Sequence, residues 1–250
     1  MEKRWAILLP LLLLLHNAKA QTNLVPNGDL EIYSNATIYW GCFGILVQNG
    51  YNPNDATPDY FNGLDPNEFK TPSNVQGYQL PHSKIAYAGI ILFANSQDFP
   101  KSNNREYIQF RLMQKMQKDK IYSIHFYVSP THPTSTSIQL PHLYLYNMGT
   151  DAIGIHISQS QITNNSGGQI NSLIAVTPQI ANLPGNYLTD TSAWYKISGC
   201  YVAQGGEEWI TIGNFKDDAH TALQLLHYYP NTPLSDSIAY VYIDDVSVVE

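Results

Sequence analysis

After its first twenty residues the chain never sustains a helical period, and its apolar residues come in strand-length runs. These runs carry β-branched and aromatic side chains between polar turns: Ala86 to Ala94, Arg105 to Leu112, Ile121 to Val128, Ile153 to Ser158, Trp194 to Ala203, Trp209 to Phe215 and Tyr240 to Val249. The one helical competitor is Arg105 to Lys118, where Leu112, Met113 and Met116 could begin a stripe. Tyr107, Ile108 and Phe110 favour strand first. Short strands with no helices between them imply antiparallel sheets stacked face to face, an all-β antiparallel β-sandwich.

The first twenty residues obey a different logic. Met1-Glu2-Lys3-Arg4 is a short basic start, Ala6 to Leu15 is an apolar run too short to span a bilayer, and Ala18-Lys19-Ala20 offers small residues where a signal peptidase reads. Residues 1–20 are therefore expected to be a cleaved signal peptide and residues 21–250 a single domain, exported to the periplasm, the cell surface or the medium, with no transmembrane anchor. Only 13% of residues are charged and the formal net charge is −7, which argues against nucleic acid as a partner because phosphate neutralisation needs a basic stripe. Two cysteines, Cys42 and Cys200, form an even pair that a disulfide could join in an oxidising compartment; two free thiols are the alternative.

The longest irregular stretch runs from Asn49 to His82 and holds Tyr51, Tyr60, Phe61, Phe69 and Tyr78. Sugars present a C–H face that packs on aromatic rings and hydroxyls that seek amides and carboxylates. Asp59-Tyr60-Phe61-Asn62 places two rings between two such polar groups, with Tyr78 further along the loop and Tyr87 in the strand that follows. The competing expectation is that these rings pin a long loop to the sandwich. Catalytic signatures are missing from the sequence: it has no Gly-x-Ser-x-Gly, no His-Glu-x-x-His and no glycine-rich phosphate loop.

Asn27-Gly28-Asp29-Leu30-Glu31 near the start and Tyr242-Ile243-Asp244-Asp245-Val246-Ser247-Val248 at the end resemble the two ends of carbohydrate-binding jelly rolls of the galactose-binding-like superfamily. The resemblance implies that first and last strands meet and that a structural calcium sits there, held by the Glu31 and Asp244 carboxylates with the Asp29 carbonyl; calcium takes six to eight hard oxygens at about 2.3–2.6 Å. In a regular last strand Asp244 shares a face with Val246 and Val248, and Asp245 faces outward. Further motifs, among them Thr57-Pro58-Asp59-Tyr60-Phe61-Asn62, Gly77-Tyr78-Gln79, Ala86-Tyr87-Ala88-Gly89 and Gly213-Asn214-Phe215, follow the order of one family. It is similar to the jelly-roll module that precedes OmpA-type domains in exported Bacteroidota proteins, some linked to gliding motility and type IX secretion. Asp236-Ser237-Ile238 resembles an O-glycosylation sequon of that phylum.

The resulting expectation is a non-catalytic binding module for a glycan of the cell envelope or environment. An interaction protein docking onto an envelope, gliding or secretion protein is the alternative, and a polysaccharide lyase ranks below both. Export has a direct readout: mass spectrometry of the extracytoplasmic protein should find a chain beginning at Gln21, and an intact Met1 chain retained in the cytoplasm would refute it.

Overall fold

The computed structural model describes residues 21–34, 37–95, 103–131, 147–164, 173–227 and 237–250. The signal segment, Asp236 of the sequon and residues 165–172 of the loop after Ser158 lie outside the described residues. No helix among the described residues is long and apolar enough to cross a membrane.

All the strand runs found in the sequence are strands, with shorter ones between them. One sheet is built from β1 (Gly50–Tyr51), β6 (Tyr107–Arg111), β12 (Trp209–Gly213), β9 (Gly154–Ser158) and β10 (Ile180–Ala181), hydrogen-bonded in that order. The other runs β11 (Tyr195–Val202), β7 (Ile121–Pro130), β14 (Ser237–Val249), β5 (Ala86–Asn95), β2 (Asp59–Asn62). Taking β5, β6, β7, β9, β10, β11, β12 and β14 in chain order as strands one to eight, the first sheet reads 2-7-4-5 and the second 6-3-8-1. Every pairing is antiparallel. This is the double Greek-key order of a jelly roll, with β1 and β2 added at the edges.

Period-2 alternation decides which side chains enter the core. Ile108 and Phe110 of β6, Ile155 and Ile157 of β9, and Ile210 and Ile212 of β12 merge with Ile124, Phe126 and Val128 of β7 and Val241 and Ile243 of β14 in one buried cluster. The short helix α1 (Phe43–Leu46) adds Phe43, whose ring meets Phe110 edge-on at 6.0 Å. The termini are tied to the same frame: Leu24 N–H donates to the Val248 carbonyl at 2.7 Å and Val246 N–H to the Gly28 carbonyl at 2.8 Å. A Cβ on Gly28 would come 2.1 Å from the Val246 carbonyl oxygen, so only glycine permits this approach.

Cys42 and Cys200 are both free, which corrects the disulfide expectation. Cys42 is buried at the start of α1 and Cys200 is exposed on the edge strand β11, so the two thiols occupy different environments. Burial pushes the Cys42 thiol up to about 11, which leaves it protonated and unreactive.

A buried pair of acids links the loop before β2 to the entry of β6. Glu106 accepts from the Ile91 N–H at 2.8 Å and the Thr57 hydroxyl at 3.1 Å, while Asp59 accepts from the Gly41 N–H at 2.9 Å and the Tyr240 hydroxyl at 2.8 Å. Burial, and then the charge of Asp59, pushes Glu106 up to about 8; burial also raises Asp59. A carboxyl raised from 4.5 to about 8 holds its proton in the folded chain and releases it in the unfolded one across that window. Stability is thus greatest below pH 4.5 as far as Glu106 is concerned and falls as pH rises toward about 8, at most by about 1.4 kcal/mol per pH unit. Urea midpoints measured from pH 5 to pH 8 should decline, and Glu106→Gln should flatten part of that decline; an equal slope in the variant would show that Glu106 does not carry it.

Candidate functional site

The residues expected to contact a ligand are mostly interior. Tyr60, Phe61 and Tyr87 are fully buried, and Asp59 and Asn62 are buried with them, so none has a face to offer a sugar. Tyr60, opposite Ala88 in the register, joins the inner face, whereas Phe61 and Tyr87 stand on the outer face of the second sheet, where Phe69 of the following loop packs on them; all belong to one buried cluster. Phe61 stacks near Phe69 at 6.0 Å and meets Tyr242 edge-on at 5.6 Å, while Tyr87 lies 4.6 Å from Tyr242. The phenolic hydroxyls are satisfied inside the protein. The Asn74 amide donates to the Tyr87 hydroxyl at 2.8 Å and accepts from the Tyr242 hydroxyl at 3.0 Å, and Tyr60 donates to the Leu30 carbonyl at 2.8 Å. Of the expected ligand set only Tyr78 is exposed, on the two-residue strand β4 (Gly77–Tyr78).

The carboxylates expected at the metal site do gather, around the segment Ser83–Ala86. Glu31 accepts from the N–H groups of Ile85 and Ala86, both at 3.0 Å. Asp244 accepts from Ser83 N–H at 3.0 Å and from Asp245 N–H at 2.7 Å, and the Asp29 carboxylate pairs with the Lys84 ammonium. One detail differs from a regular strand. A bulge between Asp244 and Ser247 breaks the alternation, so Asp244 sits opposite Tyr127 on the outer face, whereas Val246 and Val248 are buried in the core cluster. Asp244 is nevertheless fully buried, beneath Ser83.

These donors are hard oxygens of the kind calcium selects. Burial, with the charges of Asp245 and Glu31 adding to it, pushes Asp244 up to about 8. One oxygen of the Asp29 carboxylate is engaged by the Lys84 ammonium. Among the described residues no three His, Cys, Asp or Glu side chains stand close enough to hold one ion by themselves, so backbone and solvent oxygens would have to complete any shell.

Beside this corner lies a groove of about 480 Å³ whose lining includes Asp29, His82, His125, Tyr127, Asp245 and Ser247. The His82 ring stacks on Tyr127 with centroids 3.6 Å apart, and its Nδ1 pairs with Asp245. Trp194 stands edge-on to His82 at 5.9 Å and donates its indole N–H to the Leu80 carbonyl at 2.9 Å. His125 meets Tyr127 edge-on at 5.8 Å, and the Lys196 ammonium lies 5.8 Å from the Tyr127 ring centre. Burial and the Lys196 and His82 charges lower the His125 pKa, favouring its neutral ring. Asp245 has a left-handed φ of 49°, a conformation imposed by the bulge, and its other oxygen accepts from the Ser83 hydroxyl at 2.8 Å. The groove thus brings partly exposed rings together with carboxylates and ring nitrogens.

Sequence reasoning did not select these rings. His125 and Tyr127 are separated by one residue in a strand and so share a face, a signal that was readable; that His82 and Trp194 join them is a product of the fold.

No family model matches the chain and no curated protein matches it. Among solved structures, the K2 cleaved adhesin domain of Lys-gingipain overlaps 92% of this chain and 98% of its own at 8% identity and a TM-score of 0.37. The K1 cleaved adhesin domain of Lys-gingipain from Porphyromonas gingivalis W83 overlaps 76% and 82% at 11% identity and 0.33, and a candidate sugar-binding protein from Bacteroides thetaiotaomicron VPI-5482 overlaps 92% and 100% at 11% and 0.32. Superpositions this loose transfer neither a site nor an activity.

The two groups of rings separate cleanly by stability. Tyr60→Ala should cost about 3–5 kcal/mol in urea unfolding, as for other buried aromatic rings, while His82→Ala, at a side chain 29% exposed, should cost about 1 kcal/mol. Equal losses would mean that the groove is packing as well.

Proposed function

We propose that the protein is an exported, non-catalytic glycan-binding module whose binding surface is the His82–His125–Tyr127 groove. The observation that carries this reading is the stacked His82–Tyr127 pair, held by Asp245 and left partly exposed in a groove with further carboxylate and hydroxyl groups. Such a surface offers rings to the C–H face of a sugar and acceptors to its hydroxyls. Affinity is expected in the micromolar to millimolar range, because a small polar ligand exchanges water for protein at each hydroxyl. Calcium at Glu31, Asp244 and the Asp29 carbonyl would act as a staple between the chain's two ends, beside the groove and not in its chemistry.

A glycan array followed by titration calorimetry tests the reading. Tyr127→Ala and His82→Ala should weaken binding at least about tenfold while the melting temperature moves by only about 2–4 °C. Calcium added to chelator-treated protein should raise the melting temperature, and Asp244→Asn should remove that response. Absence of glycan binding at millimolar concentration would overturn the groove assignment, and a melting curve indifferent to calcium would remove the staple.

A further inference from the structure

A second recess lies where the loop after β8 (Met148–Thr150), strand β10 and the end of β12 meet, away from every residue of the groove above. It measures about 280 Å³ and is walled largely by apolar side chains, among them Val176, Pro178 and Phe215, with Asp151 and Lys216 supplying its charge. Phe215 is held in place by Tyr107, whose ring centre is 5.3 Å away.

Asp151 is the anomaly in this recess. Its side chain is only 5% exposed; Oδ2 accepts from the Gly185 N–H at 2.6 Å, but Oδ1 has no hydrogen-bond partner among the described residues. The Lys216 ammonium stands 3.9 Å from Oδ1, beyond hydrogen-bond reach, on a side chain 46% exposed. Neighbouring amides are already committed. Asn182 donates to the carbonyls of Asp151 and Asn186, and Asn214 to the Leu92 carbonyl and the Thr221 hydroxyl. A buried carboxylate oxygen left without a donor is costly and rare in folded chains, which points to a donor arriving from outside.

The pairing of charges limits what that donor can be. A metal ion would meet the Lys216 ammonium, and an anionic ligand would meet Asp151. A neutral vicinal diol suits both, since one hydroxyl donates to the carboxylate while its neighbour accepts from the ammonium. We propose that the recess is a second ligand site, for a single neutral pyranose ring that lays its C–H face against Phe215 and Pro178 and bridges Asp151 Oδ1 and Lys216 Nζ through adjacent hydroxyls. The Lys216 arm, flexible and half exposed, moves aside to admit it. The volume accommodates one ring and falls just below the usual range of small-molecule sites, about 300–1,000 Å³.

The test is an amide chemical-shift titration of the ¹⁵N-labelled protein with the methyl glycosides of glucose, galactose, mannose and N-acetylglucosamine. Gly185, whose N–H is bonded to Asp151, and Lys216 should move saturably with at least one of them in the millimolar range. Asp151→Asn should weaken that response about tenfold, the loss of one charge-assisted hydrogen bond. Ala181→Trp, at an exposed position on the rim, should block it without touching a buried group. No saturable shift at Gly185 with any of the four, or an unchanged response in both variants, would overturn the recess. Shifts confined to His82 and Tyr127 would leave the groove reading standing and remove this one, and shifts confined to Gly185 and Lys216 would do the reverse.

Discussion

Strand β14 is the element on which the rest of the molecule depends. It pairs with β5 along one edge and β7 along the other, and the chain's N-terminal segment hydrogen-bonds to its end through Leu24, Asn23 and Gly28. A central strand must satisfy its backbone groups on both sides, so the last residues of the chain are needed before either neighbouring strand is correctly placed. Such pairing over the full length of a sequence is characteristic of jelly rolls, and it slows folding because chain entropy is lost before the distant contacts form.

Both faces of the sheet containing β14 are covered. The inner face meets the other sheet through aliphatic residues, the ordinary solution for a sandwich. The outer face is covered by the loop between β2 and β5, and here tyrosines of the sheet, Tyr87 and Tyr242, meet asparagine and glutamine amides of the loop. Tyrosine supplies a large apolar ring with a hydroxyl that must be bonded when buried, and the loop's amides supply those bonds. This arrangement explains how a chain with few charges can bury so much polar surface, and why Asp59 and Glu106 sit inside it with raised pKa values.

The bulge in β14 brings two carboxylates to the edge of this covered face. By inserting residues between Asp244 and Ser247 it turns Asp244 under Ser83 and presents Asp245 to His82. The same short segment, His82 to Ala86, therefore contacts the carboxylate corner on one side and the ring groove on the other.

Period-2 runs of Ile, Val, Tyr and Phe were enough to locate the long strands and the sandwich, because alternation is a local property dictated by the pleat. The meeting of the chain's ends was legible from Asn27–Glu31 and the final Asp-rich strand, whose residues resembled a known frame. The short strands β1 and β10 were not, since two residues carry no period. The role of Tyr60, Phe61 and Tyr87 was also undecidable from the sequence: a ring that stacks on sugar and a ring that fills a core are the same residue, and only burial tells them apart. Likewise nothing local brings His82 to Tyr127 and Trp194 to His82, or leaves Asp151 Oδ1 without a donor among the described residues. The sequence by itself determined the strand content, the apolar inner faces and the low charge; the tertiary structure alone decided which polar and aromatic groups are covered and which face solvent, because that depends on contacts between segments far apart in the chain.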